Sequence, residues 1–325
     1  MKRHAGWFTQ EKIVFLIAVA LFFIFSIVTN GFLTSDNVLA LLRGVSTLGI
    51  LGVAMAIVVI GRGIDLAIVT VLAMASAWML QSVADGASLY TGLMIGLACA
   101  LTVGLLSGVM VAYVEIPALF ATMAMGTLAY GAVKLGVINL EVVYMPPAAE
   151  PLRWLGSGRV LGVPVPVIAF ALVAILGHLF LRKTRRGWFI FSIGDNPAAA
   201  RITGIPVRPT VVMQYLISAC IGYGAGLITA ASVAQMNTRM ALSNMVYDVI
   251  LVVVIGGIGL SGGRGSIRNV VVGTLLIGIL INGMTILDVQ YTTQNIVKSG
   301  LLLAAIVIDS LLNPRDEQTA QQGDI

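Results

Sequence analysis

Charge is what this sequence has least of. Only 10% of its 325 residues are Asp, Glu, Lys or Arg, against about 25% in soluble domains, which excludes an ordinary water-soluble fold. Two histidines, His4 and His178, and two cysteines, Cys99 and Cys220, are too few and too scattered for a metal centre. Both cysteines fall inside apolar runs, so no disulfide framework is written either. The His-Glu-x-x-His signature is missing, and without a Gly-Lys dipeptide there is no P-loop, so any ATP used must sit on another chain. No position is assigned a catalytic role. Deep pairs of ionisable residues, which ion-coupled carriers use, are lacking as well. Asp65, Glu115, Asp248 and Asp309 all fall near the ends of apolar runs, where solvated positions are expected. The net charge is +5, but the basic residues are spread over successive loops rather than gathered in the patch of a nucleic-acid binder.

What is there is apolar. The chain is 58% hydrophobic, and at roughly 20 residues per span it holds about ten transmembrane helices in a single membrane domain, residues 1–325. The expected class is an all-α integral membrane protein. Lys2, Arg3 and Lys12 precede an apolar run with no Ala-x-Ala-like cleavage site, so residues 1–12 are read as a cytoplasmic N-terminus and the run, ending near Leu33, as a retained first span. Thr34 to Asn37 then form an outer turn. The remaining spans run approximately over Leu39 to Ile60, Leu66 to Leu80, Tyr90 to Tyr113, Pro117 to Leu135, Val165 to Leu181, Val211 to Ala234, Tyr247 to Leu260, Val270 to Leu287 and Ile296 to Leu312. The tail, residues 313–325, ends inside. Arg43, Gly44 and Ser46 interrupt the second span, whose outer end is expected to kink and to meet a cavity or the interface.

Gly92, Gly96, Ala100, Gly104, Gly108 and Ala112 place small residues at an unbroken period of four along the fourth span. That pattern makes a flat helix-packing face. The largest outer feature follows the fifth span, with Glu141, Pro146, Pro147, Glu150, Pro151, Arg153 and Trp154. For a translocation path the sequence offers mainly neutral groups. Tyr130, Asn139, Asn237, Asn244, Tyr247 and Asn282, together with Asp65, are the candidates, and they suit a hydroxyl-rich solute. Gly256 to Ser266 resembles a phosphate loop only superficially, because no Lys and no preceding strand accompany it, and it is read as a flexible cytoplasmic turn.

Residues 182–209 are the only long polar stretch bounded on both sides by apolar spans, and their six basic residues mark the cytoplasmic side. Within them Asn196 suits an N-cap, Pro197 the first helical position, Ala198 to Ala200 a helix, and Gly204 its C′ stop. A helix of roughly eight residues is marginal in water alone, so a partner is expected to hold it. The plainer alternative is a topology anchor carrying one capped turn.

GIDL at Gly63 to Leu66, IPALFATMAMGTLAYG at Ile116 to Gly131, GDNPAAARITGI at Gly194 to Ile205 and VVIGGIGLSGGRGS at Val253 to Ser266 together resemble the permeases of ribose-type sugar ABC importers. The resemblance covers nearly the whole chain. It implies a ten-helix, type II importer fold like that of the vitamin B12 importer, in the cytoplasmic (inner) membrane of a prokaryote. It also implies a second permease copy or paralogue, a cytoplasmic ATP-binding subunit that carries ATP and magnesium, and a periplasmic or lipid-anchored substrate-binding protein. Gly194, Asn196, Ala199, Ala200, Arg201, Gly204 and Ile205 would then form the coupling element, with the small alanines entering a groove on the ATPase. Two departures leave the substrate open: Ala67-Ile68-Val69-Thr70 follows GIDL where the family commonly has Ser-Val-Gly-Ser, and Asn244, Tyr247 and Asp248 stand where an acidic, Ala-rich run is usual. A monosaccharide or similar polyol is the first reading. A nucleoside or branched-chain amino acid is the alternative.

Overall fold

The computed structural model describes residues 10–312. The N-terminal Lys2, Arg3 and His4 and the tail from residue 313 lie outside the described residues. Along the chain come α1 (Gln10–Val28), α2 (Ser35–Ile60), α3 (Ile68–Ala84), α4 (Leu89–Ala112) and α5 (Ala118–Gly136). An outer segment follows, with β1 (Val142–Tyr144), α6 (Arg153–Ser157), β2 (Arg159–Val160) and β3 (Val163–Pro164). Next are α7 (Val165–Lys183), α8 (Arg185–Asp195), α9 (Pro197–Ile202), α10 (Val207–Val233), β4 (Gln235–Asn237), α11 (Met245–Ile255), α12 (Ile267–Ile286) and α13 (Tyr291–Leu312). Eight of these helices are long and apolar enough to cross a membrane, and α3 and α11 are shorter apolar helices that complete the expected ten.

Several boundaries differ from the sequence reading because polar caps extend or shorten the apolar runs. The turn read at Thr34 to Asn37 belongs mostly to α2: the Thr34 hydroxyl accepts the Asn37 amide at 3.4 Å and starts the helix at Ser35. α10 starts at Val207 and keeps Pro209 in its first turn, where a missing N–H costs little. No break occurs at Arg43 or Gly44. α2 runs unbroken, and those residues instead line an outer cavity of ≈ 620 Å³ facing α6 and α10.

α2 and α3 form the centre. Every residue from Leu48 to Ile60, and from Ile68 to Ala77, is buried, so both read as near-continuous apolar runs rather than amphipathic stripes. α4, α7, α10, α11 and α12 pack around them. Outside the bundle, β1 pairs antiparallel with β4, Val143 opposite Met236, and so ties the outer segment to the α10–α11 connection. Arg239 and Glu141 form an ion pair beside this ribbon.

The period-four glycines of α4 lie in a seam within this chain. A Cβ at Gly104 would stand 2.7 Å from the Ala219 Cβ and 2.8 Å from the Tyr215 carbonyl oxygen, and one at Gly108 would stand 2.8 Å from the Val212 Cα, all on α10. Gly96 lies under the Tyr223 ring of α10, and Gly92 faces Val83 and the Met79 carbonyl of α3. Such backbone-to-backbone approach leaves nowhere for a side chain to move. Gly104→Leu or Gly108→Leu is therefore expected to cost at least ~1–3 kcal/mol and to cut the yield of monodisperse protein sharply. Gly224→Ala, which meets open space, should leave the yield unchanged. Normal size-exclusion profiles for both leucine variants would show that this seam does not hold the fold.

Candidate functional site

The polar stretch 182–209 folds as two helices rather than one. Thr184 caps the first, its hydroxyl accepting the Gly187 amide at 3.0 Å, and α8 then buries Gly187, Ile190, Ile193 and Gly194 against the bundle. This helix is absent from the sequence reading. Its signal is the three-to-four spacing of those buried residues, masked because two of the four are glycines and two arginines open the helix. Asn196 ends α8 and starts α9: its Oδ1 accepts the Ala199 amide at 3.0 Å, with Pro197 at the first helical position. Gly204 takes φ +82, and the Ile205 amide closes the end on the Ala200 carbonyl at 3.0 Å. The helix thus spans six residues, shorter than the eight expected.

Its faces are not those expected either. Ala198, Ala199 and Arg201 are exposed, and Ile202 is 86% exposed. Ala200, by contrast, is 3% exposed and packs inward with Ile193, Val207, Val211 and Tyr215. So the three alanines do not share an outward face. The outermost apolar group is Ile202, which the sequence reading passed over.

Gly194 joins this element to the membrane core. A Cβ there would run into the Ile60 carbonyl at the end of α2 and into the Gly263 amide, and those two groups bond each other at 2.8 Å. Arg62 donates from Nε to the Ser261 carbonyl at 3.0 Å. Asn269 donates to the Gly256 carbonyl at 2.7 Å, and the Asp309 carboxylate accepts the Leu260 amide at 3.3 Å. The glycine-rich segment, read from sequence as a flexible turn, is therefore bonded to α2, α12 and α13, with Gly257, Gly262, Gly263 and Gly265 at positive φ. Gly259 to Gly263 also spells Gly-x-Ser-x-Gly, but a helix precedes it rather than the strand of a nucleophile elbow.

The translocation candidates do not form one cluster. Asn244 and Tyr247 line a common cavity beside Asp248 and Lys298, between α11 and α13. Asn282 instead exchanges hydrogen bonds with Asn37 at 3.1 Å, Asn237 caps the Arg239 amide, and Asn139 is exposed on the outer connection. Tyr130 packs against the apolar core. Asp65 is 4% exposed, accepting from Ser218 Oγ at 2.6 Å and from the Ala67 amide at 3.1 Å. The carboxylates expected to be solvated thus divide. Glu115 is partly exposed and pairs with Arg208, while Asp65 and Asp309 are buried and Asp248 is half-buried against Lys298. Sequence position near a span end did not reveal this, because side chains of other helices, Ser218 of α10 and Lys298 of α13, meet two of these carboxylates and the α11–α12 connection meets Asp309.

A profile of the permease component of branched-chain amino acid transport systems matches residues 37–306. The chain belongs to this permease family. The permease is 31% identical to the ribose import permease of Escherichia coli K12, over 94% of this chain and 95% of that one. It is 32% identical to the galactofuranose transporter permease of the same strain, covering 83% and 78% of the two chains. Against the xylose transport system permease of Haemophilus influenzae the identity is 30%, with 91% and 95% covered. No solved structure matches the chain. In this permease, Gly194 puts the α8–α9 element in direct contact with the end of α2 and with the α11–α12 connection.

Proposed function

We propose that this permease is the membrane subunit of an ATP-driven importer for a monosaccharide or similar neutral polyol. The observation that carries the reading is near-full-length similarity, at 30–32% identity, to permeases named for ribose, galactofuranose and xylose. In this reading ATP and magnesium are bound by a separate cytoplasmic subunit, onto which α9 docks through Ala198, Ala199, Arg201 and Ile202. A substrate-binding protein delivers the sugar at the outer face, and a second permease, identical or paralogous, completes the path. The family description favours a second reading, a branched-chain amino acid as cargo.

Reconstitution of the permease with its ATPase and binding protein separates these readings. Uptake of labelled ribose, xylose or galactose is expected to require ATP on the ATPase side and to survive collapse of proton and sodium gradients. Uptake of leucine alone would replace the sugar reading with the second one. Gradient-driven uptake without the ATPase would remove the ATP-driven assignment altogether.

A further inference from the structure

Where the first turn of α11 meets α13 lies a cavity of ≈ 260 Å³ lined by Asn244, Tyr247, Asp248, Leu251, Asn295 and Lys298, among others. Lys298 donates from Nζ to the Asp248 carboxylate at 2.8 Å, with the side chains only 9% and 21% exposed. The Oδ1 of Asn295 is buried and has no hydrogen-bond partner among the described residues. Neither feature is explained by packing. An ion pair taken out of water costs more than an apolar pair of similar size, and a buried acceptor left unbonded costs a further desolvation penalty. Ionisable groups inside a membrane bundle that persist against such costs mark functional sites.

The cavity's chemistry selects its ligand class. Asp248 and Lys298 neutralise each other, so the site presents no net charge to hold a free ion. It does present an acceptor without a donor, a carboxylate with a second free oxygen, an ammonium with donors to spare, and three further polar side chains, Asn244, Tyr247 and Ser299. A ligand that donates and accepts around its whole rim satisfies all of these without separating the pair. The volume falls below the about 300 Å³ at which drug-sized sites begin, which limits the ligand to a single small ring. Leu251 and the half-exposed Tyr247 ring offer apolar surface for its C–H face.

We propose, building on the sugar-importer reading above, that this cavity is a monosaccharide subsite on the translocation path. Asn295 Oδ1 and Asp248 accept sugar hydroxyls there, and Lys298 donates to one. The path then carries an ion pair at this point, where mainly neutral groups are expected from sequence.

The test uses the reconstituted importer with ribose, xylose and galactose as probes. Asn295→Leu fills the cavity and removes the acceptor, and the double variant Asp248→Leu with Lys298→Met replaces the pair by apolar groups of similar size. Each is expected to lower uptake of the transported sugar by roughly tenfold or more, while the loaded binding protein still stimulates ATP hydrolysis to near the wild-type level. In a background without Cys99 and Cys220, labelling of Ser299→Cys, whose parent serine lines the cavity, should be slowed by the transported sugar and not by leucine. A pair that only pins α13 to α11 would tolerate the apolar double variant, so wild-type uptake by that variant overturns the proposal. Labelling indifferent to sugar, or slowed by leucine alone, does the same. A wild-type complex that takes up none of the three sugars would instead condemn the importer reading itself.

Discussion

Ala199→Pro is expected to abolish most solute uptake in the reconstituted importer while the membrane spans stay folded. Ala199 is the third residue of α9, and its amide is the donor that Asn196 Oδ1 accepts at 3.0 Å. Proline there removes the donor and also pushes Ala198 out of the helical region, because the residue before proline is disfavoured in α conformation. At this first-turn position proline breaks no bond within the helix, so its cost is the ~1 kcal/mol of the lost cap bond plus the displacement of Ala198, and a six-residue helix has little reserve to absorb even that. If α9 is what the ATPase holds, uptake should fall by roughly tenfold or more, with each tenfold equal to about 1.4 kcal/mol. ATP hydrolysis should then no longer respond to the loaded binding protein. Asn196→Ala, which loses only the cap, should be milder, at ~1 kcal/mol. Ile202→Glu provides the complementary variant: it keeps the helix and places a charge at its most exposed apolar position. Uptake and ATP hydrolysis measured in the same vesicles decide the matter. Wild-type coupling in both Ala199→Pro and Ile202→Glu would reduce α8 and α9 to a topology anchor.

Ala200→Glu is expected to act differently, as a folding lesion. Read from sequence, Ala200 belongs to a docking face, and a glutamate there would leave the fold intact. In the structure its methyl group packs among Ile193, Val207, Val211 and Tyr215, so a carboxylate would be buried without a partner. An uncompensated buried charge costs several kcal/mol, a large fraction of a typical 5–15 kcal/mol stability. The yield of monodisperse protein should fall several-fold and thermal stability should drop, with transport lost in proportion to folded protein rather than per molecule. Fluorescence-detected size exclusion against temperature reads this. A normally folded Ala200→Glu protein with failed ATPase coupling would show instead that residue 200 faces the ATPase.

The two alanines, one position apart, mark how far the sequence reaches. Local rules placed the α9 caps, because Asn196, Pro197 and Gly204 act on backbone groups a few residues away. Length and hydropathy likewise placed ten apolar helices, and period-four glycines located a packing face on α4. Each of these signals is contained within one turn or one helix. Sequence determined, then, the class, the span count and the chemistry of the caps. Tertiary structure alone decided which alanine of α9 turns inward, since its short helix has no apolar stripe long enough to show a face. It also decided the fate of the carboxylates: Asp65 meets Ser218 and Asp248 meets Lys298 across 153 and 50 residues of chain. Bonds of that kind depend on how helices pack, and periodicity fixes a residue's direction only relative to its own helix axis.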